Sequence, residues 1–197
     1  MRSCLKLLWI ALLVASGASA HATMIDFAAP LDGASEFPPN ASTGSGVAQL
    51  VFDTDAHTVS LDIDFSGLSA PVTVAHIHCC VDPSSASPVV GVAVTPGTLP
   101  GFPAGVTAGA YNMTLDLSAA STYTTTFLAA AGGTAAAAEA ALLTGMQAGF
   151  AYVNIHTSAF PAGEIRGFLQ AVPEPLTGLL LMTASVGLVW RRRRACS

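Results

Sequence analysis

The residues best suited to chemistry fall in two short stretches about eighty positions apart. Residues 75–80 contain two histidines and two cysteines, and residues 154–157 contain a third histidine. Neutral imidazole nitrogens bind borderline divalent ions such as copper and zinc. Three histidines brought together by the fold could therefore hold such an ion, and the candidate ligands are His76, His78 and His156.

Both stretches have the residue pattern of β-strands, in which side chains at positions i and i+2 share a face about 7 Å apart. His76 and His78 then share one face, and Ala75 and Ile77 share the other. Residues 152–156 and 164–166 alternate in the same way. If these three strands are neighbours, we expect the polar side chains to point outward as one surface cluster. Its predicted members are His76, His78, Asn154, His156, Glu164 and Arg166.

Three interpretations of this cluster are open. It could bind metal, it could bind an outside ligand, or it could be a hydrogen-bonded lattice in which Glu164 pairs with Arg166 or a neighbouring imidazole. The lattice is favoured because the sequence offers no comparable set of further histidines: His21 lies at the expected mature terminus and His57 lies beside a turn.

The elements that must position these residues are mostly short strands. Residues 57–65 alternate between apolar and polar positions, which is typical of a half-buried antiparallel strand. Further strands are predicted over 24–27, 47–52, 73–79, 111–117, 123–128, 150–156 and 164–170.

One helix is predicted, over residues 134–146. It is alanine-rich, with Thr134 as N-cap and Gly149 just beyond its end. Many short strands with turn-rich links predict an antiparallel Greek-key-type β-sandwich with this one inserted Ala-rich helix.

The N-terminus has the pattern of a secretory signal peptide over residues 1–20. Basic residues precede an apolar run over 7–14, and Ala18-Ser19-Ala20 has the small-x-small form of a cleavage site. We expect signal peptidase to release a mature chain that begins near His21. The alternative is an uncleaved anchor helix, for which the run is short.

The C-terminus has the pattern of a second sorting signal, over residues 173–197. A Pro-Glu-Pro motif precedes an apolar run over 176–190, predicted as a short transmembrane helix, and four arginines follow. This order resembles the PEP-CTERM sorting signal of Gram-negative bacteria, which implies processing by an exosortase at the inner membrane. The alternative is a permanent single-pass anchor, and both place residues 21–172 beyond the inner membrane. The motif residues are Pro173, Glu174, Pro175, Arg191, Arg192, Arg193 and Arg194.

The charge of the chain changes once both ends are set aside. The whole chain carries a formal charge of −5, but residues 21–172 contain eleven acidic residues and Arg166 as their only Lys or Arg, which is a charge near −10. Such a domain lacks the basic patches that bind nucleic acid or anionic membranes. An extracellular polysaccharide remains an expected type of partner.

Cys79 and Cys80 are the only cysteines outside the two terminal segments. Export places them in an oxidising compartment. Neighbouring Cα atoms are about 3.8 Å apart across a trans peptide, below the usual disulfide range of about 4.4 Å upward. A vicinal disulfide is the favoured interpretation. The alternatives are a ligand role for Cys80, on the face of His76 and His78 if the strand continues, and two reduced thiols.

Five motifs together resemble the CHRD domain, a family named from chordin and widespread in bacteria. The resemblance implies a β-sandwich of immunoglobulin-like or Cu,Zn superoxide dismutase-like type, and it implies no established enzyme activity. Phe37 departs from the valine that is usual in the family. The motifs are Glu36-Phe37-Pro38-Pro39, Thr43-Gly44, Ala75-His76-Ile77-His78, Asn154-Ile155-His156-Thr157 and Gly163-Glu164-Ile165-Arg166-Gly167.

These observations predict an exported, non-enzymatic module of the cell envelope or extracellular matrix. No Ser/His/Asp set and no phosphate-binding loop stands out in the sequence. The alternative is a secreted copper- or zinc-binding protein, redox-active in the manner of superoxide dismutase, that uses His76, His78 and His156.

Overall fold

The computed structural model describes residues 24–173, which form nine strands and two α-helices. The strands are β1 (Met24–Asp32), β2 (Ser45–Asp53), β3 (Thr58–Ser66), β4 (Val72–His78), β5 (Val92–Val94), β6 (Gly109–Asp116), β7 (Tyr152–Thr157), β8 (Ile165–Phe168) and β9 (Gln170–Ala171). The helices are α1 (Thr125–Ala130) and α2 (Ala135–Gln147).

The strands form a single curled antiparallel sheet that resembles half of a barrel. Its hydrogen-bonded order is β5-β4-β7-β8-β1-β2-β3-β6, and β9 pairs with β1 beside β8. The prediction of a mainly antiparallel β fold is confirmed. Its division into the two layers of a sandwich is not confirmed, because the ladder is continuous through all the strands.

The core lies against one face of this sheet. In β3 the apolar residues Val59, Leu61 and Ile63 are at most 1% exposed, whereas Asp62 and Asp64 point to solvent. This confirms the predicted period-two strand, in which the apolar set packs inward and the polar set is solvated.

Helix α2 has the predicted position and cap. The hydroxyl of Thr134 accepts a hydrogen bond from the Ala137 N–H at 3.2 Å, which satisfies one of the free donors of the first turn. Gly149 follows the helix with a φ of +72°, as expected for a residue just beyond a helix end.

The predicted strand over 123–128 is wrong. Only Tyr123 forms an isolated bridge, to Val94, and helix α1 begins at Thr125. The Thr124 hydroxyl caps that helix by accepting from the Phe127 N–H at 3.3 Å. A local N-cap thus prevails over the β propensity of a threonine- and aromatic-rich segment, and the domain has two helices instead of one.

The terminal segments lie largely outside the described residues. The signal peptide over 1–20 and the apolar run over 176–190, both predicted as hydrophobic helices, and all of the sorting motif except Pro173 fall outside 24–173. Within 24–173, no helix combines the length and apolarity that a membrane crossing requires.

The predicted adjacency of the three polar strands is confirmed. β7 lies between β4 and β8, and its Asn154 is in register with His76 on one side and with Arg166 on the other. Loops over residues 33–44, 79–91, 95–98 and 158–163 lie over the face that carries these polar side chains, and this cover determines the character of the site.

Candidate metal centre

Three histidines from β4 and β7 converge on one point. A ring nitrogen of each of His76, His78 and His156 lies within 4.8 Å of the corresponding nitrogens of the other two. The shortest separation joins His76 Nδ1 to His156 Nε2 at 3.4 Å. The structure therefore brings together all three of the residues predicted as metal ligands.

The second nitrogen of each ring is bound to a backbone carbonyl of a covering loop. His76 Nε2 lies 2.9 Å from the Gly97 oxygen, His78 Nδ1 lies 2.7 Å from the oxygen of Val90, and His156 Nδ1 lies 3.0 Å from that of Pro161. A carbonyl can only accept, so each of these nitrogens is an N–H donor. In the neutral rings, the converging nitrogens therefore carry lone pairs.

The predicted outward orientation of the cluster is wrong. His76, His78 and His156 are only 8–9% exposed, and Asn154 and Arg166 are only 2–3% exposed. The alternation of the strands was read correctly, but loops cover the second face of the sheet. The side chains lie between sheet and loops instead of in water.

Burial sets the charge state of the imidazoles. Burial is the largest cause of a shift that lowers the pKa of His78 from 6.5 to about 4; the Val90 carbonyl opposes this shift, and the neighbouring His76, His156 and Arg166 contribute to it. Burial also lowers the pKa of His156. At neutral pH these two rings are uncharged, the form in which imidazole binds metal.

An aromatic and a cationic side chain lie behind the histidines. The ring of Tyr152 stacks on His78 with centroids 4.6 Å apart, and the Arg166 guanidinium lies 4.9 Å from the centroid of Tyr152. Tyr152 was predicted to share this face but was not included in the cluster. Its contacts with His78 and Arg166 are evident only in the tertiary structure.

The partner of Arg166 is Glu36, and the predicted pairing with Glu164 is wrong. Arg166 Nε lies 3.7 Å from Glu36 Oε2, and the guanidinium also donates to the backbone oxygens of Ser35 and Pro88. Burial raises the pKa of Glu36 to about 7, although Arg166 opposes that shift. The family motif around Glu36 was the only sequence signal for this role.

Glu164 forms a separate buried node beside the site. Its carboxylate accepts hydrogen bonds from the Ser42 hydroxyl and the Ser69 N–H, both at 2.6 Å, and from the Thr157 hydroxyl at 2.5 Å. Burial alone would raise the pKa of Glu164, but these donors outweigh it and hold the pKa below its usual value. Glu164 thus fixes the loop that follows Asn40 to the end of β7.

Asn154 occupies the centre of the cluster next to Glu36. Asn154 Oδ1 and Glu36 Oε1 are buried oxygens that lack hydrogen-bond partners within residues 24–173. Gly163, at a φ of +132°, lies directly over them, and a β-carbon there would come within 2.6 Å of both side chains. The absence of a side chain at Gly163 is what leaves room for these two groups.

Cys79 and Cys80 lie away from the converging nitrogens. The structure joins them in a vicinal disulfide across a cis peptide, with Cα atoms 3.0 Å apart. β4 ends at His78, so the alternation that would have placed Cys80 on the histidine face does not continue. The disulfide instead packs against Gly145 of α2, where an added β-carbon would collide with both sulfur atoms.

The hydrogen-bonded lattice predicted for this face is present in part, because each of the three rings bonds to a loop carbonyl, and the metal interpretation stays a prediction. His76 Nδ1 and His156 Nε2 face each other with no proton between them in the neutral state, and His78 Nε2 has no hydrogen-bond partner among the described residues. In metal sites the second nitrogen of a ligand histidine typically donates to a carbonyl, and all three rings have this arrangement.

Comparison with protein families gives one match. The family model described as "CHRD domain" matches residues 27–169, which spans both helices and every strand from β2 to β8. Neither the curated proteins nor the solved structures yield a match to this chain.

Proposed function

The chain belongs to the CHRD domain family, and from that premise we propose that it is an exported module that binds a copper or zinc ion through His76, His78 and His156. The observation that carries this proposal is the convergence of three ring nitrogens whose opposite nitrogens donate to loop carbonyls.

The spacing of the nitrogens supports the proposal. Zn–N bonds of about 2.0–2.1 Å at tetrahedral angles place two ligand nitrogens about 3.3–3.4 Å apart. His76 Nδ1 and His156 Nε2 are 3.4 Å apart. The nitrogen of His78 lies within 4.8 Å of both.

The proposal is tested by metal analysis of protein purified without an affinity tag. The chelator-treated protein is loaded with copper or zinc and dialysed, and we expect one equivalent to remain. His78→Ala should lose it, whereas the control His57→Ala, altered at a half-exposed histidine that pairs with Glu139, should retain it. Metal-free wild-type protein after loading and dialysis would overturn the proposal.

Export is the second part of the proposal. The N-terminal and C-terminal patterns support passage across the inner membrane of a Gram-negative bacterium, release by signal peptidase of a domain over 21–172, and processing of 173–197 by an exosortase. The cell envelope or the extracellular matrix is the proposed destination, with extracellular polysaccharide as a candidate partner. Deletion of 173–197 should leave the domain folded and change its location, and unchanged retention in cell fractions would contradict the sorting role.

We propose no catalytic role for this domain. The candidate ligands are buried, the carboxylate of Glu36 pairs with Arg166, and that of Glu164 is held by three hydrogen-bond donors. The redox-active alternative requires that bound copper change its oxidation state. Turnover of superoxide by copper-loaded protein, absent in His78→Ala, would favour that alternative.

A further inference from the structure

The charges around the three histidines bear on which ion they select. Imidazole rings contribute no negative charge to the site. The cationic side chain of Arg166 is a neighbour of this cluster and disfavours additional positive charge. The guanidinium of Arg166 lies 4.9 Å from the centroid of the Tyr152 ring, and the same ring stacks on His78.

No carboxylate is available to offset the charge of a bound ion. Among residues 24–173, the group of possible metal ligands contains these three histidines and no Asp, Glu or Cys. The carboxylate of Glu164 is held by Ser42, Ser69 and Thr157, and that of Glu36 pairs with Arg166.

Because the site is buried, the charge of the ion strongly affects the free energy of binding. The ligands are less than a tenth exposed, and the cost of transferring an ion from water to such a site grows with the square of its charge. The desolvation free energy of a divalent ion is therefore about four times that of a monovalent ion of the same size. Carboxylate or thiolate ligands usually offset that cost, and this site has neither.

The number of ligands also disfavours a divalent ion. Structural zinc sites are almost always four-coordinate, and catalytic zinc sites with three histidines keep a fourth position open to water. Here three nitrogens converge beneath loops that bind each ring through a carbonyl. Cu(I) readily accepts three-coordinate binding by imidazole, and ligand type and geometry, more than raw affinity, decide selectivity among metals.

We infer that the His76/His78/His156 cluster selects Cu(I) over Zn(II) and Cu(II). This inference rests on the proposed function, because it specifies the ion that the same three nitrogens hold. The protein would then keep copper in its reduced state within a closed site.

The experiment compares the three ions on the same chelator-treated protein. Cu(I) affinity is measured anaerobically by competition with bicinchoninate, and Zn(II) and Cu(II) affinities are measured by competition with chromophoric chelators. We expect Cu(I) to bind at least 100-fold more tightly than either divalent ion. Equal or tighter binding of Zn(II) or Cu(II) would overturn this inference and leave the proposed metal site intact. No binding of any of the three ions would overturn both.

A matched variant tests the electrostatic argument. Asn154→Asp is nearly isosteric and adds a carboxylate opposite His76 in the β4–β7 ladder. It should reduce the preference for Cu(I) over Zn(II) at least tenfold. The control Asp62→Asn, which removes an exposed carboxylate from β3, should leave the preference unchanged. An unaltered preference in folded Asn154→Asp protein would contradict the charge argument.

Discussion

His76 Nδ1 and His156 Nε2 lie 3.4 Å apart across the β4–β7 ladder, although eighty residues separate them in the chain. Each ring donates its other N–H to a loop carbonyl, of Gly97 or of Pro161. Two lone pairs therefore face each other in the neutral protein. A shared proton or a bound cation would relieve their repulsion.

This relationship predicts the tautomers of the histidines. In the metal-free protein at pH 8, we expect His76 to carry its proton on Nε2, and His78 and His156 to carry theirs on Nδ1, because each of these nitrogens faces a carbonyl. Long-range 1H–15N correlation spectra distinguish the tautomers. The opposite tautomer at either His76 or His156 would contradict the arrangement, and His57 serves as an exposed reference ring.

Stability of the metal-free protein should depend on pH through His78. Its folded pKa of about 4 is below the ordinary 6.5, so the unfolded chain binds the extra proton first as the pH falls. The stabilisation is fully present above pH 6.5 and is lost towards pH 4. The loss is about 3 kcal/mol at about 1.4 kcal/mol per pKa unit.

Glu36 should make stability depend on pH in the opposite sense, over nearly the same pH range as His78. Its folded pKa of about 7 exceeds the ordinary 4.5, so the native state holds the proton more tightly. Its contribution is fully present below pH 4.5 and is lost as the pH rises to about 7. The two effects largely cancel in the wild type.

Glu36→Gln should remove that compensation. Urea unfolding from pH 4 to 8 should then show a steeper loss of stability on acidification than in the wild type. His78→Gln should show the reverse, with stability that rises as the pH falls from 7 to 4.5. Identical pH profiles for Glu36→Gln and the wild type would contradict the opposing roles of these two groups.

Glu164 should contribute strongly to stability. Glu164→Gln replaces one acceptor oxygen with an amide that faces the donors of Ser42, Ser69 or Thr157. Loss of charge-assisted hydrogen bonds in a buried node should reduce the free energy of unfolding by about 2–4 kcal/mol. Urea unfolding at pH 7 measures this effect.

The matched control for that substitution is Glu139→Gln. Glu139 pairs with His57, whose side chain is 55% exposed, so the change should cost less than about 1 kcal/mol. A similar loss in the two variants would show that the donors around Glu164 add nothing beyond a pair with one exposed partner.

The disulfide should require glycine at position 145. An alanine normally stabilises a helix interior by about 1 kcal/mol relative to glycine, but a β-carbon at Gly145 would collide with the sulfur atoms of both Cys79 and Cys80. We therefore expect Gly145→Ala to lower the melting temperature. Gly91→Ala, where a β-carbon meets nothing within 4 Å, is the control and should have little effect.

The same contact predicts a rescue. Replacing Cys79 and Cys80 with alanine should remove most of the penalty of Gly145→Ala, because the colliding atoms are then absent. Mass spectrometry of the wild type after alkylation should detect no free thiol before reduction and two after it. Two free thiols before reduction, or a full penalty in the triple variant, would contradict the role of the disulfide.

Much of the fold could be predicted because its signals are local. The alternation in β3 reports which residues face the core, and Thr134 caps α2 within its own first turn. The same alternation placed His76 and His78 on one face and allowed β4 and β7 to be paired. Where two local signals competed, as around Thr124, the prediction of a strand failed.

The sequence by itself determined most of the strands, their inward faces and the three histidines that share a side. Only the tertiary structure decided that this side is buried, that Arg166 pairs with Glu36 across 130 residues, and that three loop carbonyls orient the imidazoles. The physical reason is that alternation depends on neighbouring residues alone, whereas burial depends on which distant loop covers a face. The protonation of His78 and Glu36 depends on that cover, and so does the proposed binding of an ion.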